Sequence, residues 1–319
     1  MTGELAFIHA LRAIATDPAA RGLADDAAVL AVGGETLVLT MDTVVEGVHY
    51  LRGDAPADVA WKLVAVNVSD LSAKGATPLG CLYSHALGDD AWDAAFLAGL
   101  GEACARFAIP LLGGDTVRMP PESPRSFSLT ALGTGRKHCP VPSRTAARAG
   151  DRVWVSGTIG DAGLGLAAAR GTLAGPVAHL ATLAARYRRP SPGPLLGVAL
   201  APLVNAMMDV SDGLLVDAAR MAQASGVGIA IGLDTVPLSA ALVAVAGDAI
   251  ETRMAAVTAG DDYELLFTAP PEHTARIREA ASALGLRVTA IGTVEVGAGL
   301  ALSSGGQDVP LPQRLGYQH

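Results

Sequence analysis

Two short segments carry the same arrangement of acids. Val66-Asn67-Val68-Ser69-Asp70-Leu71 is echoed by Met208-Asp209-Val210-Ser211-Asp212-Gly213-Leu214. Asp25, Asp26, Asp42 and Asp115 share the setting of Asp70, Asp209 and Asp212. Each lies near an expected element end, among Gly, Ser, Thr or small apolar residues, mostly without a basic neighbour. Unpaired carboxylates brought together repel one another and hold on to protons. Hard divalent cations relieve such a cluster through oxygen ligands, and magnesium completes its shell with water and phosphate oxygens. Taken singly, each acid also has a plainer reading. Asp70 can be solvated or paired with Lys74. Asp42 can be a helix N-cap. Gly113-Gly114-Asp115 is either a close backbone approach to a ligand or a hairpin turn.

Other chemistries lack their residues. Cys81, Cys104 and Cys139 show no CxxC spacing, and no His/Cys group has zinc spacing. No serine sits in a nucleophile elbow. There is no GxxxxGK[ST], HRD or DFG, so neither common kinase scaffold fits. The glycine order in residues 157–165 is not a dinucleotide fingerprint, although a helix start there is a fair anion site. Metal-dependent phosphoryl transfer on another scaffold remains.

The elements that must position these acids alternate between strand and helix. An amphipathic helix is expected before Asp17-Pro18. Residues 36–42 read as a strand apolar on both faces and so buried on both. Residues 46–49 follow as a loop. Residues 56–74 form a helix stopped by Gly75 and Pro78. A strand over 79–87, a helix over 90–107, and strands over 109–115 and 126–135 complete the first half. Residues 136–150, with Pro140, Pro142 and four basic residues, read as a linker. In the second half, strands are expected over 152–156, 206–210 and 228–232, with Ser211 or Asp212 as a helix N-cap. Asp261, Asp262 and Glu264 precede another strand. A helix over 272–284 and a last core strand over 287–294 follow. The pattern implies sheets with helices packed on one face, and the repeated V-S-D segment hints at two related halves.

Bulk properties agree. The 319 residues exceed what one core usually supports, so two domains are expected. Half of the residues are hydrophobic (50%) and 17% are charged, which favours a large packed core over disorder. A net charge of -8 argues against a nucleic-acid partner. Three scattered cysteines fit a reducing cytoplasm. The N-terminal stretch lacks the basic flank of a secretory signal, and no apolar run is long enough to span a membrane.

The chain closely resembles the thiamine-monophosphate kinase family, in the superfamily of aminoimidazole ribonucleotide synthetase and selenophosphate synthetase. The motifs are Asp25-Asp26-Ala27-Ala28, Met41-Asp42-Thr43 with Gly47-Val48-His49, residues 67–78, Gly113-Gly114-Asp115-Thr116, Arg144 with Gly150-Asp151, residues 209–214 and residues 260–265. Their number, order and spacing make the match specific. Selenophosphate synthetase would need a reactive cysteine near the N-terminus, and the first here is Cys81. The hydrogenase-maturation member would end in cysteine, and this chain ends in His319. A cyclo-ligase is the enzyme alternative, and a regulatory nucleotide-binding protein the non-enzyme one.

The resemblance implies a mixed α/β and α+β fold of two domains. The first, over residues 1–137, would dimerise through its sheet. A linker over 138–150 would join it to a second over 151–319 that completes the site. Several Mg²⁺ ions would be held by Asp26, Thr40, the Met41 backbone, Asp42, Asp70, Asp115, Asp209 and Asp212. ATP would contact Gly114, Asp115, Arg144 and Ser211. Thiamine monophosphate would contact His49, Asp261 and Tyr317. The family usually carries Gly at position 24, Ser or Thr at 41 and Glu at 261, where this chain has Ala24, Met41 and Asp261. The implied reaction is direct transfer from ATP to thiamine monophosphate in a cytoplasmic homodimer. It needs no acid–base residue, because the accepting phosphate oxygen is already anionic.

Overall fold

The structure, a computed structural model, describes residues 4–120 and 122–317. The part of the expected first helix before Glu4 and the tail beyond Tyr317 lie outside them. The first helix, α1 (Glu4–Leu11), ends at Leu11, before the Asp17-Pro18 stop that the sequence pattern offers.

The first half has β1 (Ala28–Val32), β2 (Glu35–Val45), α2 (Pro56–Ala73), β3 (Thr77–Ala86), α3 (Asp90–Arg106), β4 (Leu111–Val117) and β5 (Ser126–Thr134). Helix α2 starts with proline in its first turn, where the missing N–H costs nothing. It ends at Lys74, and Gly75 follows at φ 57°. A side chain at Gly75 would meet the Ala201 Cβ at 2.5 Å, so the stop also serves close packing. Nearly every residue of α2 is buried, including Lys62, Asn67, Ser69 and Ser72. The helix lies between the two sheets, which explains why an apolar stripe alone would not suffice.

The first sheet has strand order β1-β2-β5-β3-β4, parallel only at β3–β4. One face meets α2 and α3 through Val38, Val44, Phe127, Leu129 and Ala131. The other carries Met41, Leu82 and their neighbours and is exposed among the described residues. The apolar run of β2 therefore does not mean two buried faces. Alternate residues are buried and the rest face outward. The register Thr43–Ser128–Ser84–Asp115 crosses four strands on this open face.

The second half has β6 (Arg152–Ser156), α4 (Asp161–Ala169), α5 (Val177–Arg188), α6 (Pro194–Leu200), β7 (Ala206–Val210), α7 (Leu214–Ser225), β8 (Gly228–Gly232), α8 (Ala240–Ala246), α9 (Ile250–Thr258), β9 (Glu264–Ala269), α10 (Thr274–Ala283), β10 (Val288–Glu295), β11 (Gly299–Ser304) and β12 (Gln307–Val309). Its sheet has order β12-β11-β8-β10-β6-β9-β7. Strands β11 and β12 extend it past the strand expected to be last. Helices cover both faces here, in contrast to the one-face expectation. Trp154, Met207 and Phe267 pack with α2, α6 and α10 on one side. Val155, Met208 and Leu266 pack with α7 and α9 on the other. Every residue of β7 is buried as a result.

The halves are fastened through α2. Trp61 Nε1 donates to the Pro190 carbonyl at 2.8 Å, and Ser72 Oγ donates to the Gly193 carbonyl at 2.8 Å. The two V-S-D segments differ in structure. The first is helical, whereas the second runs from strand through loop to helix. They nevertheless touch, because Ser69 Oγ donates to Asp209 Oδ2 at 2.6 Å.

Candidate active site

A cleft of about 1180 Å³ opens beside this junction and takes walls from both halves. Asp26, Asp42, Asp70, Asp209 and Asp212 all line it. Strand β2 and helix α2 place the first group by local contacts. The Asp42 N–H donates to Asn67 Oδ1 at 2.9 Å, and Thr40 donates its hydroxyl to Asp70. Asp42, Asp70 and Asp209 enter no ion pair among the described residues. Burial, then the charges of Asp26 and Asp212, push the Asp42 carboxyl up to about 6. Burial and Asp26 push Asp209 up to about 8, against the Ser69 hydrogen bond. Burial and the charges of Asp42, Asp209 and Asp26 hold Asp70 well above the usual carboxylate range.

The remaining acids have cations. Lys74, fully buried, meets Asp26 Oδ2 at 2.8 Å and Asp25 Oδ1 at 2.5 Å, and donates to the Met207 carbonyl at 3.1 Å. It does not pair with Asp70. Arg144 donates to Asp26, and Arg21 meets Asp25 Oδ2 at 2.6 Å. Burial alone would raise Asp25, but the charge and hydrogen bond of Lys74 and hydrogen bonds from Ser143 and Arg21 bring it down to about 2. The adjacent acids of Asp25-Asp26 are thus an ion-paired buried link between the halves, against the expectation of carboxylates without basic neighbours.

Neither Ser211 nor Asp212 caps α7; the cap position is Gly213. Asp217, in the first turn, instead collects the N–H groups of Ser211 and Asp212 at 3.1 Å each and of Gly213 at 3.3 Å. That leaves the side chains of Ser211 and Asp212 on the cleft wall. Arg220 joins Asp217 and Asp212 at 2.8 and 2.6 Å. Asp217 was unreadable in sequence, since an acid in a first helical turn is commonplace. The glycine-rich start of α4 is not an open anion site. Asp262 already accepts its Gly160 N–H at 2.8 Å and its Ala162 N–H at 3.5 Å.

At the other end of the cleft stand Val48, His49, Leu166, Tyr187 and Asp261. The Val45 N–H donates to His49 Nδ1 at 3.1 Å, which puts the proton of a neutral ring on Nε2. Asp261 and Tyr263 occupy the left-handed region at φ 70° and 51°. Their N–H groups donate to the Ser211 and Val210 carbonyls at 2.8 Å each. The tail docks as well. The Tyr317 N–H donates to the Asp212 carbonyl at 2.9 Å, and a side chain at Gly316 would collide with Val216. Tyr317 lines the cleft with its side chain half exposed.

Four residues expected at the site are not on this wall. Thr40, buried behind it, reaches it through its bond to Asp70, and the other three are set elsewhere. Met41, Gly114 and Asp115 lie on the first sheet. Met41 and Asp115 are on its open face, away from Asp42. Gly113-Gly114-Asp115 is no turn but the middle of β4. Gly114 is required by β3, because a Cβ there would clash with the Tyr83 carbonyl oxygen.

The chain matches the AIR synthase related protein, N-terminal domain, over residues 24–135 and the AIR synthase related protein, C-terminal domain, over residues 148–304. It is 40% identical over 312 residues to the thiamine-monophosphate kinase of Caulobacter vibrioides, covering 95% of this chain and 86% of that protein. The chain belongs to the thiamine-monophosphate kinase family. The Escherichia coli K12 thiamine-monophosphate kinase is 37% identical, with 93% and 91% of the two chains covered. The solved structure of AaThiL complexed with AMPPCP and TMP superposes with a TM-score of 0.84 at 32% identity, over 99% of this chain and 97% of that one. The thiamine-monophosphate kinase of Stenotrophomonas maltophilia K279a superposes with a TM-score of 0.79 at 36% identity, covering 95% of each chain. The AIR synthase-like fold of two domains is therefore shared across the thiamine-monophosphate kinase family and this chain.

The cleft's donors fit a hard divalent cation. They are mainly carboxylates, and Asp42, Asp70 and Asp209 have no ion-pair partner among the described residues. Among the described residues no three Asp, Glu, His or Cys side chains form a ready-made cage. Magnesium needs none, since one or two carboxylates plus phosphates and water complete its shell.

Proposed function

We infer that this chain transfers the terminal phosphoryl group of ATP to thiamine monophosphate, giving ADP and thiamine diphosphate. The observation that carries this reading is the gathering of Asp42, Asp70 and Asp209 in one cleft with no ion pair to any of them among the described residues. Magnesium bound through Asp26, Thr40, the Met41 backbone, Asp42, Asp70, Asp115, Asp209 and Asp212 would neutralise the two anionic substrates so that they can approach. The accepting phosphate oxygen carries its own charge, so no side chain has to remove a proton. The protein's work is alignment. Arg144 and Ser211 hold the nucleotide from the hinge side of the cleft. His49, Asp261 and Tyr317 hold the ring end of the acceptor. Asp261 offers a carboxylate and Tyr317 an aromatic face to a fixed thiazolium cation.

Asp115 joins the nucleotide site from the open sheet face, with Gly114 beside it in β4, and a second copy of this chain covers that face. The exposed side chains of Met41, Leu79, Leu82 and Leu112 support a symmetric sheet-to-sheet dimer. Residues 1–137 form the dimerising domain, 138–150 the linker and 151–319 the closing domain. Free Cys81, Cys104 and Cys139 suit a cytoplasmic setting. No described helix is long and apolar enough to cross a membrane. An ADP-release assay with and without thiamine monophosphate tests the reaction. ADP release only when the acceptor and Mg²⁺ are both present is expected. Release independent of thiamine monophosphate would overturn the reading.

A further inference from the structure

Lys62, a residue outside the expected site, organises the ring end of the cleft. It is buried to 2% exposure in α2. Its Nζ donates to Asp261 Oδ2 at 2.9 Å and to the His49 carbonyl at 2.9 Å, and lies 4.1 Å from the centre of the Tyr187 ring. A buried ammonium is unfavourable unless each of its protons is received. Here a carboxylate, a carbonyl and an aromatic face receive it, and they come from three separate parts of the chain. The Tyr263 hydroxyl donates to Asp261 Oδ1 at 3.1 Å, so both oxygens of that carboxylate are anchored. Each oxygen keeps a further lone pair for a ligand, and the Asp261 side chain is 29% exposed. The backbone beneath it is anchored, because the Asp261 N–H donates to the Ser211 carbonyl at 2.8 Å. Asp261 sits at φ 70°, and a side chain on Gly260 would stand 2.7 Å from the Ser211 carbonyl oxygen.

Helix α2 also carries Asp70, eight residues beyond Lys62. At 1.5 Å per residue this is about 12 Å along the axis. One rigid element thus sets the separation between the group that fixes Asp261 and a carboxylate at the phosphate end. We propose that Lys62 is a positioning residue for thiamine monophosphate. It holds the Asp261 carboxylate and the His49 loop together across the two domains, and it governs affinity for the ring-bearing substrate without acting on ATP. The proposal rests on the functional reading above.

Two roles for Lys62 differ in sign. As a positioning group, its loss weakens binding of the acceptor. As a mere screen of the Asp261 charge, its loss would strengthen attraction for a cationic ring. Steady-state kinetics on the full chain separate them, using wild type, Lys62→Met, Asp261→Asn and the double variant with each substrate varied in turn. Lys62→Met is expected to raise KM for thiamine monophosphate roughly thirtyfold or more, the scale of truncating one partner of a buried charge pair. KM for ATP should stay within about twofold. The double variant should lose much less than the two single losses combined, because Lys62 acts largely through that carboxylate, its hold on the His49 loop accounting for the remainder. A lowered KM, equal weakening of both substrates, or additive losses would overturn the proposal. If Lys62→Met does not fold, Lys62→Arg carries the same cycle, since it keeps the charge without the compact ammonium, and it must raise KM for thiamine monophosphate alone. Wild type inactive on thiamine monophosphate would overturn the functional reading; an active wild type with silent Lys62 variants would overturn this proposal only.

Discussion

Asp70 illustrates how one carboxylate can be poor for folding while the proposed reaction depends on it. It is held well above the usual range by burial and by Asp42, Asp209 and Asp26, so ionising it works against the folded state. Asn at this position keeps an oxygen for the Thr40 hydroxyl and removes a charge. Asp70→Asn should lower kcat by roughly 10²–10³-fold, the scale of losing one preorganised electrostatic contact. Its melting temperature without divalent metal should equal or exceed wild type. Kinetics over a Mg²⁺ series and a thermal melt check both halves of the statement. Near-wild-type activity at low Mg²⁺ would remove Asp70 from the metal set. The residue was legible in sequence because an acid late in an apolar helix has no structural motive. Its plainer pairing with Lys74 failed for a reason no local spacing reveals. Lys74 reaches Asp25 and Asp26 instead, and Asp25 lies 49 residues away. Lys62 and Asp261 are further apart still, by 199 residues, and their pairing leaves no trace in either neighbourhood.

At the scale of elements, the start of α4 shows a protein carboxylate taking the place of an external anion. Asp262 accepts two of that helix's N–H groups, yet burial, with Asp161 and Glu264 nearby, raises it well above 3.8. The direction of the pH effect follows. Below 3.8 the group is protonated in both the folded and the unfolded chain. As pH rises, the unfolded chain ionises freely while the folded one resists, and stability is lost through the raised value. Asp262→Asn cannot ionise and retains an acceptor for the Gly160 N–H. Its melting temperature relative to wild type should climb as pH goes from about 4 to about 8. Calorimetric melts across that range test it, and a difference that shrinks with pH would reverse the assignment. The tail is a second element whose role exceeds its appearance. Sequence position alone argues for fraying, but the Tyr317 and Gly316 contacts seat it on Asp212 and Val216. Tyr317→Ala should raise KM for thiamine monophosphate by roughly two- to thirtyfold, the value of an aromatic face on a cation. KM for ATP should not change. Equal weakening of both would indicate a folding defect instead.

For the whole molecule, the features legible from sequence were those with local punctuation. The ends of α2 followed from Pro56 and Gly75, and β7 from an apolar run closed by Asp209 and Ser211. Strands β11 and β12 escaped because they are short, glycine-flanked and largely exposed. The apolar run of β2 reads differently in the structure than in the sequence. Among the described residues its second face has no helix over it, and the same is true of Leu82 in β3, which is 45% exposed. A second copy apposed on this face would bury those side chains and bring Asp115 of β4 into a shared site. Leu82→Asp places a charge in the middle of that apolar contact, where it has no partner and resists desolvation. Because Leu82 faces outward, the fold itself should survive. Sedimentation should therefore find wild type as a dimer and Leu82→Asp as a monomer with an unchanged far-ultraviolet spectrum. Turnover should fall with dissociation, and raising protein concentration should restore it in partial disruptions such as Leu82→Ala. A Leu82→Asp monomer with full kcat would show that one chain contains the entire site and that Asp115 has no part in it. A wild type that sediments as a monomer would leave the open face to some other cover.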